Sequence, residues 1–108
     1  MNPALDELTD AELAATPLAL IALDADGRVV AISPSAARWA GVAAWQVRGR
    51  ALLGELGWLF GADATRRLAD LLASPPPCAT LRAHRRDGTD VELTLSRGDR
   101  RIYLAVGA

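Results

Sequence analysis

The sequence has no lysine, one cysteine, one histidine, one methionine and only five aromatic residues in 108 positions. Each shortage excludes something. A lone cysteine, Cys78, cannot form a disulfide within the chain, and its use fits a reducing, cytoplasmic setting. One histidine, His84, with scattered acids gives no support to a metal site. No Ser-His-Asp set, no Cys-His pair and no glycine-rich phosphate loop is discernible, so an enzyme is not expected and no catalytic residue is assigned. Charge of one sign is also missing: 12 basic residues, all arginine, face 13 acidic ones, for a net charge of −1. That balance argues against a broad nucleic-acid surface. The longest apolar run, Pro17 to Leu23, falls far short of the ~20 residues a membrane span needs. Met1 to Glu12 carries four acids and no base, unlike a signal peptide. No membrane contact by this segment is expected.

What is present is apolar surface: 51% of the residues are hydrophobic, 22 of the 108 being alanine. That length and composition suit one domain with a real core. The expected organisation is an N-terminal helical cap over residues 1–16 and a folded domain over 17–108. Asn2-Pro3 suits a helix start, and Thr9-Asp10-Ala11-Glu12 has the form of a capping box. Leu5, Leu8 and Ala15, with Ala11 or Glu12 between, share one side, and Pro17 stops the helix near Thr16. A helix of about a dozen residues is marginal alone, so it has to dock, either on its own sheet or on a second chain. Leu13 falls off the Leu5–Leu8 stripe, which makes the apolar surface wide enough for both contacts.

Two apolar runs, 18–23 and 28–32, flank Asp24-Ala25-Asp26-Gly27 and read as an antiparallel hairpin. The acidic pair is a turn former. A calcium loop of the EF type needs further oxygen ligands, including a glutamate at position twelve, where this sequence has Ser35. Ser33-Pro34 repeats the helix-start pattern, and the short helix ends at Gly41. A further turn covers Ala43 to Val47, and residues 51–60 read as one brief helix and a loop. Asp63 is the expected cap of a longer helix, Ala64 to Ala73, with its stripe on Ala64, Leu68, Leu71 and Leu72. After Ser74-Pro75-Pro76-Pro77 the period changes to two. Leu81 and Ala83, then Val91, Leu93 and Leu95, alternate with polar residues, and Arg101 to Val106 forms a last strand. The fold class is α+β: a five-stranded antiparallel sheet with short helices on one face and an N-terminal helix.

This order, with the residues at its joints, resembles the PAS (Per-Arnt-Sim) sensor family over Pro17 to Val106. The marks are Leu23-Asp24-Ala25-Asp26-Gly27-Arg28-Val29-Val30, Gly41 eight residues after Ser33, Val47-Arg48-Gly49-Arg50, and the hairpin at Arg85-Arg86-Asp87-Gly88-Thr89. Two departures stand out. Ser33 replaces the asparagine usual after the second strand, and Tyr103 to Ala108 lacks the Asp-Ile-Thr exit to an output helix. The resemblance implies a sensory or interaction module that binds a small ligand, dimerises, or both. It would regulate an output domain outside this chain, for example a kinase, a cyclase or a transcription factor. A ligand-free dimerisation module is the alternative, and a small enzyme on an α+β sheet is a third reading.

The cofactors of such modules are tested residue by residue. Flavin photosensors of the family carry a reactive cysteine where this chain has Leu52, and haem-binding members use a histidine in the long helix, which has none between Ala64 and Ala73. Neither haem nor an adduct-forming flavin is expected. Cys78 reads as a small apolar residue and His84 as an outward-facing one beside Arg82, Arg85 and Arg86. Trp39, Trp45 and Trp58 read as core or interface packing, and Trp58-Leu59-Phe60 as a partner surface if exposed. The apolar faces left after these assignments name a pocket for a small hydrophobic or aromatic ligand at Trp39, Leu52, Leu56, Leu68, Leu71, Leu93 and Leu95. Leu5, Leu8 and Leu13 are the candidate homodimer contacts. Purified protein should therefore be colourless. An absorption spectrum with a Soret band, or with flavin bands that bleach in light, would contradict the reading at Leu52 and in the long helix.

Overall fold

The computed structural model describes residues 18–55, 61–74, 76–84, 90–98 and 101–107. Five strands are formed: β1 (Leu20–Leu23), β2 (Val29–Ile32), β3 (Cys78–His84), β4 (Asp90–Arg97) and β5 (Ile102–Gly107). Between β2 and β3 come α1 (Pro34–Ala40), α2 (Ala44–Val47), a helical stretch at 52–55, and α3 (Ala62–Ala73). The strands make one sheet in the order β2-β1-β5-β4-β3, with every pair antiparallel. This is the expected α+β sheet. The N-terminal helix and the turn expected at 86–89 lie outside the described residues.

The first hairpin forms for the reason its sequence suggests. The Asp24 carboxylate accepts from the backbone N–H groups of Asp26 at 2.9 Å and Arg28 at 3.0 Å. Gly27 takes φ +78°, a conformation that costs a side-chain-bearing residue steric strain. Past the turn, the register shifts between Ala22 and Leu23. The irregularity brings Val29 and Ile32, three positions apart, into the same inner cluster while Ala31 joins the outer one. The open side of this hairpin is then occupied: Val29 N–H donates to Arg50 at 2.9 Å, Leu52 N–H to Gly27 at 2.9 Å, and Gly49 N–H to Val29 at 2.7 Å.

Helix α1 starts at Ser33, and here the structure adds to the sequence reading. The Ser33 side chain is wholly buried. Its hydroxyl accepts from Ala36 N–H at 3.3 Å, which is the expected N-cap. It also accepts from Leu20 N–H at 2.9 Å and donates to Leu18 C=O at 2.6 Å. One donor and two acceptors is all a hydroxyl offers, so Ser33 is saturated. It joins the start of β1 to the start of α1. The helix ends at Gly41, in the left-handed region at φ +72°, whose N–H closes on Arg38 at 3.2 Å.

The expectation for α3 needs correction. Its N-cap is Gly61, not Asp63: the Gly61 carbonyl already accepts from Thr65 N–H at 3.0 Å, so the helix begins at Ala62. Asp63 falls inside the first turn, where a carboxylate favours the positive helix end without capping it.

Inner-face side chains of all five strands meet α1, α2 and α3 in one apolar cluster that includes Ile21, Leu23, Val29, Ile32, Leu81, Leu93, Leu95 and Leu104. In β4 the alternation is as expected, with Val91, Leu93 and Leu95 buried between more exposed neighbours.

Replacing Ser33 by alanine removes a cap and strands two backbone groups, so the loss of stability should be about 2–4 kcal/mol in a denaturant titration. A loss under about 0.5 kcal/mol would show that water replaces the hydroxyl. Gly41→Ala meets no atom within 4 Å of the added Cβ, so only the backbone conformation opposes it. About 1 kcal/mol is expected in the same titration.

Candidate functional site

The residues expected to line a pocket come from three elements and an intervening stretch. Trp39 lies on α1, Leu52 in the helical stretch 52–55, Leu68 and Leu71 on α3, and Leu93 and Leu95 on β4. All six belong to the single inner cluster, with Leu52, Leu68, Leu93 and Leu95 fully buried and Trp39 and Leu71 half-buried against them. Leu56 lies outside the described residues. The spacing explains the convergence: i, i+3 on α3 and i, i+2 on β4 each present one face. Leu52 gets there differently, because the backbone bond from its N–H to Gly27 pins the segment against the hairpin.

Chemically this interior is apolar apart from the buried Ser33 hydroxyl and the buried Trp39 indole nitrogen. Among the described residues, Ser33 is the single buried polar or charged one, and its hydroxyl is engaged three times over. Such a lining attracts apolar or aromatic groups and offers little to an anion.

A second feature was not legible in the sequence. An open groove of about 380 Å³ runs between the β1–β2 turn and the C-terminal half of α3, lined by Ala25, Asp26, Gly27, Ala51, Leu53, Ala69, Leu72 and Ala73. None of the expected pocket residues lines it. Small side chains leave the space: four alanines and a glycine stand where larger residues would close it. No periodicity marks such a place, because it depends on how a turn and a distant helix face each other.

The remaining singled-out residues separate. Trp45 on α2 is 78% exposed, so of the two roles expected for it, core packing is excluded and a surface role remains. Cys78 is exposed at the first position of β3, which corrects its reading as a small apolar residue. The cause is the strand's phase: Leu81 and Ala83 occupy the inner face. Trp58 and Phe60 lie outside the described residues, as does the direction of the His84 side chain. Leu5, Leu8 and Leu13 also lie outside them. Asp24 is committed to the turn, and among the described residues no group of three or more metal-ligating side chains occurs. Among those residues, no helix is long and apolar enough to cross a membrane.

Comparison with known proteins places this architecture. A family model described as the PAS fold matches residues 13–101. No curated protein matches the chain. Among solved structures, the chain is similar to the photoactive yellow protein domain of the sensor histidine kinase Ppr from Rhodospirillum centenum. The TM-score is 0.78 at 20% identity, with 100% of both chains covered. It is similar also to the PAS domain of Bordetella pertussis BvgS, at TM-score 0.70 and 18% identity, covering 98% of this chain and 86% of that one. The PAS domain of the Cronobacter turicensis quorum-sensing receptor RpfR, in complex with BDSF, matches at TM-score 0.61 and 11% identity over 85% of this chain and 93% of that one. At these identities the solved structures speak for the fold, and the family model speaks for membership. With its β2-β1-β5-β4-β3 sheet, helices on the inner face and a match over residues 13–101, the chain belongs to the PAS-fold family.

Proposed function

We propose that this chain is a cytoplasmic sensory and interaction module of signal transduction, acting on an output domain outside this chain. The observation that carries the reading is the apolar cluster enclosed between the inner sheet face and the helices, with Trp39, Leu52, Leu68, Leu71, Leu93 and Leu95 together. A small hydrophobic or aromatic ligand is the kind of molecule that this interior would hold, with Leu56 as a further lining candidate. The receptor domain from Cronobacter, solved with BDSF, supports the idea that the fold can take a ligand. Binding in such a place moves side chains on α1, α3 and β4 together, which gives the signal a route to the surface. The module does no chemistry in this reading.

A ligand-free dimerisation module is the second reading, and one observation favours it: Leu52, Leu68, Leu93 and Leu95 are already 0% exposed. A core packed that closely has less need of a guest. In either reading the dimer contact is assigned to the N-terminal segment, through Leu5, Leu8 and Leu13.

Native mass spectrometry on protein purified without denaturant separates the two readings. A retained small apolar molecule that is lost on denaturation is the expected result, and substitution of Leu68 by tryptophan should lower its occupancy. An unliganded mass from protein that also gains no thermal stability from apolar compounds would leave the dimerisation module. For the dimer, Leu13→Glu in the full chain should weaken self-association at least ~10-fold by sedimentation, since a buried leucine contributes roughly 1.5–3 kcal/mol. Unchanged association would remove Leu13 from the interface.

A further inference from the structure

The groove between the β1–β2 turn and α3 has apolar walls and a rim of one electrical sign. Four of its residues, Ala25, Ala51, Ala69 and Ala73, are exposed alanines. Leu53 and Leu72 are its half-buried residues, and both also pack against the inner cluster. Turn and helix come close at one point. A Cβ added to Gly27 would lie 3.6 Å from Leu72 Cδ1, so the backbone after Asp26 runs directly past that side chain.

Asp26 is the one charged residue among the eight that line the groove, and no arginine lines it. The Asp24 carboxylate is committed to the backbone N–H groups of Asp26 and Arg28. The Asp26 carboxylate receives no hydrogen bond and no cation from the described residues. The arginines nearest in sequence are engaged elsewhere: Arg28 donates to the Gly49 carbonyl at 3.2 Å, and Arg50 pairs with Glu55 at 3.3 Å.

The end of α3 is a second source of negative potential. Its last turn carries Asp70 and no base. Carbonyls at a helix end need donors from the chain that follows. For Leu71, Leu72 and Ala73 the positions four residues on are Pro75, Pro76 and Pro77, and proline has no N–H to give. The described residues supply no substitute donor. Open carbonyls and the negative end of the helix dipole therefore fall where Leu72 and Ala73 line the groove.

We propose that this groove binds a small organic cation, a primary amine or guanidinium that carries an apolar or aromatic body. The body displaces water from the alanine walls and from Leu53 and Leu72. The head offers N–H groups to the Asp26 carboxylate and to the open end of α3. An ammonium has three donors and no acceptor, which matches the acceptors found there. A neutral ligand leaves the carboxylate without a counter-ion, and an anion is repelled by both sources. Size decides between a small molecule and a cationic side chain of a partner protein. About 380 Å³ lies within the range of about 300–1,000 Å³ for small-molecule sites. Eight lining residues fall well short of the roughly 20–30 a side in a protein interface. The proposal goes beyond the ligand reading of the inner cluster: it concerns a different class of molecule, held by residues which that reading does not use.

Amide NMR on the full chain tests it with three probes of similar shape: phenethylamine, phenethyl alcohol and hydrocinnamate. Phenethylamine should shift the amides of Ala25, Asp26, Gly27, Ala69 and Leu72 to saturation. The alcohol should shift them more weakly, and hydrocinnamate not at all. An equal response to amine and carboxylate, or none to the amine, would overturn the proposal. Movement confined to the amides of Leu52, Leu93 and Leu95 would place the amine in the inner cluster and overturn it too. So would shifts of the groove amides on raising the protein concentration without amine, because a second copy would then be the occupant. Asp26→Asn leaves the backbone bond to Asp24 in place and should weaken the amine about three- to fivefold, with the alcohol unaffected. Ala69→Leu, at an exposed helix position, fills the groove and should abolish binding of both. An amine affinity that either variant leaves unchanged would overturn the site. These amides are distinct from those of the inner cluster, so failure here leaves the ligand reading standing, and the reverse.

Discussion

A sheet with apolar side chains on both faces has to be covered on both, and that constraint organises this domain. It is sharpest at β1, where all four residues from Leu20 to Leu23 are buried. Ile21 and Leu23 enter the inner cluster and Leu20 and Ala22 the outer one. β4 shows the other regime, one face buried and one not. The sequence difference between an unbroken apolar run and a strict alternation is the signature of two faces against one. Burial of each large side chain contributes roughly 1.5–3 kcal/mol, against a total stability of about 5–15 kcal/mol for a domain, so neither cover is dispensable.

Ser33 ties the inner helical layer to the start of β1. Its hydroxyl holds the first helix of the inner layer through Ala36, and the backbone leading into β1 through Leu18 and Leu20. Any shift of α1 produced by a guest in the interior is therefore mechanically linked to the backbone at Leu18 and Leu20, where the chain enters β1. That arrangement gives a ligand-binding reading a physical path from the interior to the start of β1. Fold membership alone does not supply it, since one scaffold serves many functions.

Much of this was legible in the sequence because it is local. The Asp24–Gly27 turn, the hydroxyl cap at Ser33, the stop at Gly41 and the alternation through β4 each follow from a few adjacent residues, and the structure has all of them. The inner cluster was legible through periodicity, which names a face without saying what meets it. Long-range geometry was not. Asp63 has the composition of a cap, but the loop carries Gly61 into the capping position. Cys78 follows three prolines in an apolar-looking stretch, and only the phase of β3 shows that it faces out. The reach of Ser33 to β1, the groove under Leu72 and the division of the outer face all depend on which strands become neighbours. The adjacency of β1 and β5, some eighty residues apart in the chain, is not written in any short pattern.

The central claim is that β1 is covered on both sides and is the most protected element of the domain. Native-state hydrogen exchange on the full chain measures this strand by strand. Amides of Ile21 to Leu23, with those of Tyr103 and Leu104 beside them, should exchange only through global unfolding and so be the slowest in the protein. Amides of β3, at the sheet edge with its outer face in water, should exchange faster through local opening. If β1 instead exchanged as fast as β3, the outer face would be open in solution, and the double cover would be wrong.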